Sequence, residues 1–190
     1  VTGVYTHMTS NIHRGDYDLS HRISTAYDQT RTHVASFLNA EEDEIIFTSG
    51  ASASLNMAAY GYGLTNLREG DVILSTEAEH ASNILPWFKV SEMTHSKIEY
   101  ISLNEKGELT VENFKKAMHE KVKVVAISYV SNVLGYINPI KDITEIAHEM
   151  NAVVFLDAAQ AVPHMKVDVK ELNVDFMSFS GHKMLAPSGI

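Results

Sequence analysis

Ala152-Val153-Val154-Phe155-Leu156-Asp157-Ala158-Ala159-Gln160 is the stretch on which the reading of this chain turns. Five apolar residues in a row, without polar alternation, predict a strand buried on both faces, as in a parallel sheet covered by helices. The strand runs straight into a carboxylate. Working outward, Val122 to Ser128 is strongly β-branched, and Val72 to Ser75, Ile98 to Ile101, Ile45 to Thr48 and Val174 to Phe179 predict further strands. Helical stripes separate them. Ser20 is expected to cap a helix carrying Ile23, Tyr27, Val34, Phe37 and Leu38, closed by Asn39. Leu55, Ala58, Ala59 and Tyr62 predict a helix stopped by Gly61 and Gly63. Ile84, Trp87 and Phe88 mark one with Pro86 near its start. Thr110 caps another, and Asn138-Pro139 opens the helix of Ile143, Ile146, Ala147 and Met150. Alternating strands and helices predict an α/β fold, a three-layer αβα sandwich with a mainly parallel sheet. Residues 1–19 have no clear period and read as an N-terminal arm; residues 20–190 read as one domain.

The 190 residues are 45% hydrophobic and 21% charged, the balance of a chain that builds its own core. There is no cysteine, which excludes a disulfide framework, a thiolate zinc site and a cysteine nucleophile within these residues. The formal net charge of -9 argues against nucleic acid, whose phosphates want a basic face. No apolar run approaches the ~18 residues of a membrane span, and no signal peptide is visible. The chain starts at Val1 rather than Met and stops at Ile190 directly after a Pro187-Ser188-Gly189 turn signal, so it reads as a fragment.

In open α/β sheets, ligands sit beyond the carboxyl ends of the strands, so the polar residues there carry the chemistry. Thr48-Ser49-Gly50-Ala51-Ser52-Ala53-Ser54 could seat an anion at a helix N-terminus, although it matches neither glycine-rich nucleotide fingerprint and also reads as an ordinary turn. His80 follows a strand, where a structural histidine is the common alternative. Asp157 at the mouth of a buried strand needs a cation, either a protonated ring nitrogen or a salt-bridge partner. Lys183, in Ser180-Gly181-His182-Lys183, is suited to a Schiff base in a dry site, and a lone lysine there is otherwise solvated. Taken in order, these elements supply an anion seat, a stacking ring, an acid for a pyridine nitrogen and an imine-forming amine. Glu145 and His148 form a single Glu-x-x-His, and no metal site is expected.

The chain resembles the pyridoxal-phosphate fold type I enzymes, the class V aminotransferase group among them, and within that group the SufS-type cysteine desulfurases. The resemblance rests on Asn11-Ile12-His13-Arg14-Gly15, Glu44 to Thr48, Glu79-His80 with Ser82 to Trp87, Ser131-Asn132-Val133-Leu134-Gly135, Asp157 to Ala161 and Ser180 to Met184. It implies pyridoxal 5'-phosphate as cofactor, with Lys183 as the lysine that binds it and shuttles protons. Asp157 is implied at the pyridine nitrogen, Gln160 at the ring oxygen, His80 stacked on the ring and Asn132 near ring and substrate. Ser180, His182 and the Ala51-Ser52 turn are implied at the phosphate, and His13 and Arg14 in an arm near the substrate. Ala51-Ser52 stands where the family usually has Thr-Thr, Ala158 where Gly is frequent, and Ala186-Pro187-Ser188-Gly189 where Gly-Pro-Thr-Gly is common. The resemblance further implies sulfur removal from L-cysteine for iron-sulfur cluster assembly, a cytoplasmic homodimer and a sulfur-acceptor scaffold protein as partner. Other class V reactions (selenocysteine lyase, epimerase, transaminase) stay open. It places the nucleophilic cysteine, the carboxylate-binding arginine and a small C-terminal domain beyond Lys183, so the fragment alone is expected to be inactive.

Overall fold

The computed structural model describes residues 2–190, which fall into two compact units that divide between Phe47 and Thr48. In the first, α1 (Thr2–His7) precedes α2 (Asp18–Leu38). The short α1 lies in the stretch read as an arm with short local structure. Its Thr6 and Thr9 hydroxyls bond back to carbonyls of that turn, a local support that leaves no apolar period. α2 begins at Asp18, ahead of the expected cap, because Ser20 turns its hydroxyl to the Asn11 carbonyl instead. Asn39 closes it in the left-handed conformation, as expected. Of the predicted stripe Leu38 is buried, joined by Ala35, whereas Phe37 is exposed. Ile45 to Thr48 is not a strand. Its Ile45 is buried and Ile46 is 69% exposed, and no strand among the described residues pairs with it.

The second unit holds a five-stranded, wholly parallel sheet in the order β2-β1-β3-β4-β5. The strands are β1 (Val72–Ser75), β2 (Lys97–Tyr100), β3 (Val122–Ser128), β4 (Val153–Asp157) and β5 (Phe176–Ser178). α3 (Ala51–Asn66) leads in, and α4 (Ala81–Thr94), α5 (Val111–Ala117), α6 (Ile140–Glu149) and α7 (Val169–Leu172) make the crossovers. Thr110 caps α5 as read, accepting from the Asn113 N–H. Asn138 does not cap α6: Pro139 takes that position, and the Asn138 amide donates to the Ser128 carbonyl at 2.7 Å.

The period of two sorts the strand residues between faces. Ile73, Val124, Ala126 and Phe155 pack with Ala59, Leu67, Trp87 and Val90 of the α3–α4 side. Phe155 anchors this layer, with Trp87 edge-on at 4.8 Å and Phe176 stacked at 4.4 Å. The other face buries Leu74, Val125, Ile127, Val154 and Leu156 with Phe114, Ile143, Ala147 and Leu172 of the remaining helices. β4 therefore reads as a continuous apolar run because it has no wet face.

α3 runs through both glycines that were expected to stop it. Gly63 is there for contact: a β-carbon at that position would stand 2.6 Å from Val90 Cγ1 and 3.2 Å from the Trp87 ring. A β-carbon on Gly61 would meet nothing within 4 Å. Gly63→Ala is expected to cost about 1–3 kcal/mol through overpacking. Gly61→Ala is expected to gain about 0.5–1 kcal/mol through helix propensity. Urea-unfolding midpoints of the two variants should move in opposite directions.

Candidate active site

All five strands point the same way, so the segments leaving their carboxyl ends gather along one edge. A cavity of about 220 Å³ opens there, lined by Ala51, Ser52, Leu55, His80, Ser82, Ser128, Val130, Asn132, Asp157, Ala159, Gln160, Ser180, His182 and Lys183. Nine residues expected at the site (Ala51, Ser52, His80, Asn132, Asp157, Gln160, Ser180, His182 and Lys183) are thus brought together from five loops. His13 and Arg14 belong to the first unit. There His13 has φ 57°, its N–H donates to Ser24 Oγ at 2.9 Å and its Nε2 lies 3.2 Å from Asp28, while Arg14 is exposed.

One end of the cavity is built for an anion. α3 starts at Ala51, whose N–H donates to the buried Ser180 hydroxyl at 2.6 Å, tying the start of α3 to the end of β5. Gly50 allows this with φ 121°, and a β-carbon there would stand 3.3 Å from Ser180 Oγ. α4 starts beside it, and the hydroxyls of Ser52 and Ser82 meet at 2.7 Å. The positive ends of two helices and their paired hydroxyls thus face one point, with the Ala51 and Ser82 N–H groups already taken by Ser180 and His80. Ser82, not singled out in the sequence, supplies a hydroxyl next to the Ala51-Ser52 turn. Ser54 and Ser178 pair at 2.7 Å beneath it.

Asp157, 6% exposed, also lines the cavity. Its Oδ1 accepts the Ala159 N–H at 2.9 Å. Burial raises its pKa above the usual carboxylate range, opposed by the Ala159 hydrogen bond and by the charges of Lys183 and His80. A buried carboxyl with one amide donor keeps lone pairs for a cationic donor. His80 caps α4, its Nδ1 accepting the Ser82 N–H at 3.1 Å. Lys183 is exposed in a 3₁₀ turn, Gly181–Met184, that ends at Leu185 with φ 65°. Asn132, also exposed, sits in the loop 131–135, and Gln160 follows β4 directly. Among the described residues no cluster of histidine and acidic side chains could hold a metal ion.

Behind His80 lies a carboxyl that the sequence reading used only as part of a motif. Glu79 accepts from Thr76 Oγ1 at 2.9 Å, Asn83 Nδ2 at 2.8 Å and Ser128 Oγ at 3.4 Å. Burial pushes it up to about 7, against the hydrogen bonds from Asn83, Ser128 and Thr76, with the Asp157 charge adding to the rise. The spacing of Thr76, Glu79 and Asn83, three and four residues apart after an apolar strand, is the signal that could have found it.

The model of the class V aminotransferases matches residues 1–190. The chain belongs to this family. A probable cysteine desulfurase of Halalkalibacterium halodurans is 46% identical over 98% of the chain, and the match covers 46% of that relative. The apo structure of a cysteine desulfurase from Thermococcus onnurineus superposes with a TM-score of 0.94 at 38% identity, over 99% of this chain and 47% of that one. The cysteine desulfurase CsdA of Escherichia coli, solved with an S-sulfonic acid, gives 0.90 at 32% identity over 99% and 47%. The chain spans about half the length of these relatives. The family's large-domain fold, a parallel sheet flanked by helices, is the fold seen here.

The raised carboxyl gives a stability prediction. A folded-state pKa above the unfolded value means that folding favours the protonated acid. The contribution of Glu79 is therefore fully present below about 4.5 and is lost as pH rises through about 7. In the cofactor-free full-length protein the unfolding free energy from urea titration should fall from pH 5 to pH 8, by at most about 3 kcal/mol from this group. Glu79→Gln should flatten that slope. An equal slope in the variant would assign it to other groups.

Proposed function

We propose that the cavity binds pyridoxal 5'-phosphate and that the full-length protein is a cysteine desulfurase. It removes sulfur from L-cysteine to leave alanine and an enzyme persulfide for iron-sulfur cluster assembly. The observation that carries this reading is the convergence of an anion seat, a buried acid and a lysine on one cavity. The donor set fits the cofactor: the seat at Ser52, Ser82, Ser180 and His182 suits a phosphate, and the free lone pairs of Asp157 suit a protonated pyridine. When bound, the cofactor supplies an aldehyde that captures amines and a cationic ring that draws electron density from the adjacent carbon. Lys183 would supply the amine that holds the aldehyde and would move the proton at the substrate carbon. Asp157 keeps the proton on the ring nitrogen, Gln160 donates to the ring oxygen, and His80 covers one ring face.

Residues 20–190 then form the cofactor domain and residues 1–19 the arm, with His13, Arg14 and Asn132 on the substrate side. The sulfur nucleophile is supplied from outside these residues, which hold no cysteine. The identities of the relatives support cysteine as substrate, and the cysteine desulfurase with an S-sulfonic acid supports a reactive sulfur in such sites. Val133, Leu134 and Ile137 expose apolar surface in and beside the loop of Asn132, which supports a second copy of the chain covering it. A sulfur-acceptor scaffold and a cytoplasmic location belong to the same reading. Among the described residues no helix is long and apolar enough to cross a membrane.

The full-length protein, reconstituted with pyridoxal phosphate and reduced with borohydride, should carry one pyridoxyl adduct, on Lys183. With cysteine and a thiol reductant, which supplies the two electrons that cleave the persulfide, it should release alanine and sulfide in equal amounts. Lys183→Ala should lower the rate at least about 100-fold. An adduct on another lysine would overturn the site, and turnover of an amino acid without sulfur release would move the reaction to another class V chemistry.

A further inference from the structure

Glu79 is not among the residues lining the cavity, yet its carboxyl accepts from Ser128, which is, and holds the turn that carries His80 and Ser82. The turn from Thr76 to Asn83 joins β1 to α4 and carries His80. Thr76 and Asn83, 2% and 1% exposed, grip Glu79 from either end of that turn, and Ser128 reaches it from the end of β3. The same turn is closed by the Asn83 N–H to the His80 carbonyl at 2.8 Å and by the Ser82 N–H to His80 Nδ1. An accepting Nδ1 places the proton of the neutral ring on Nε2. On its other side Ser128 is the register partner of Asp157. One carboxyl thus stands between the support of the histidine and the neighbour of the aspartate. The titratable groups that face it are Asp157 on β4 and Tyr136 in the loop after β3.

All three side-chain donors point at Glu79, the arrangement an anion requires. Asn83 Oδ1 is buried without a partner. If Glu79 takes up a proton on Oε1, the Thr76 or Ser128 hydroxyl turns to accept it, and the Asn83 hydrogen bond to Oε2 is kept. The turn therefore survives either protonation state, while the charge beside Asp157 changes.

We propose that Glu79 is a positioning residue of the cofactor site: it fixes the turn that orients His80 and, across Ser128, adds a second negative charge that strengthens the hold of Asp157 on a protonated ring nitrogen. This rests on the pyridoxal phosphate reading of the cavity. With Glu79 ionised, both carboxyls favour the ring proton; with Glu79 protonated, Asp157 acts alone. The rise of the Glu79 pKa to about 7 places the change between these states in the neutral range.

The test uses full-length protein stripped of cofactor, with Glu79→Gln and Glu79→Ala. In infrared spectra of the stripped protein, a protonated-carboxyl band should grow as pH falls through about 7 and be missing in E79Q. Binding of pyridoxal phosphate, followed by visible absorbance, should separate the two roles. At pH 6, E79Q mimics the protonated acid and should bind within about threefold of wild type; at pH 8 it should bind about tenfold more weakly. E79A loses the turn as well and should be about tenfold weaker at both values. If E79A fails to fold, the two-pH comparison of E79Q decides alone. Wild-type protein that binds no pyridoxal phosphate overturns the cofactor reading. Wild-type binding that E79Q reproduces at both pH values, or a carboxyl band that E79Q retains, overturns the role of Glu79 while leaving the cofactor reading intact.

Discussion

The parallel register at the carboxyl edge of the sheet is the constraint from which the site follows. Ser128 on β3, Asp157 on β4 and Ser178 on β5 are consecutive partners across the sheet, one row of polar residues at the point where three apolar strands end. A parallel sheet leaves that row little choice. Its strands must end together, its crossovers must return to the opposite edge, and what leaves the carboxyl edge is a set of loops meeting over one spot. His80, Asn132, Gln160 and Lys183 each occupy such an exit.

What the edge then needs is a charge balance, and the helices supply part of it. α3 and α4 both begin at this edge and bring their positive ends to Ser52 and Ser82, while the buried carboxyls of Asp157 and Glu79 lie on the sheet side. A polarised cavity results, favouring anions at one end and cations at the other. A ligand carrying both charges, with the spacing of the two ends, meets both demands at once. A simple phosphate or a simple amine meets one.

Much of this was legible because burial writes itself plainly into apolar runs. β1, β3 and β4 announce themselves through runs rich in Val, Ile and Leu, and the polar residues after them mark the site. What stayed hidden depends on partners distant in sequence. Ile45 to Thr48 has the composition of a strand and lacks a neighbour to pair with. Gly61 and Gly63 look like helix stops, but Gly63 is answered by Val90 and Trp87, which no local pattern reports. The hydrogen bond from Ala51 to Ser180 spans 129 residues. Glu79 was visible beside His80, but its weight comes from Ser128, which the fold alone delivers.

The missing side chain at Gly63 has a mechanical meaning. It is a point of close contact between α3 and α4, and Ser52 lies eleven residues up α3, roughly 16 Å along its axis. Ser82 lies eight residues up α4 from Val90, roughly 12 Å. The two helices work like the arms of tongs with their pivot at the far end, and the Ser52–Ser82 oxygen pair forms the tips. A wedge one methyl thick at the pivot is magnified at the tips, so the gape of the anion seat is gauged at a residue that never comes near the anion.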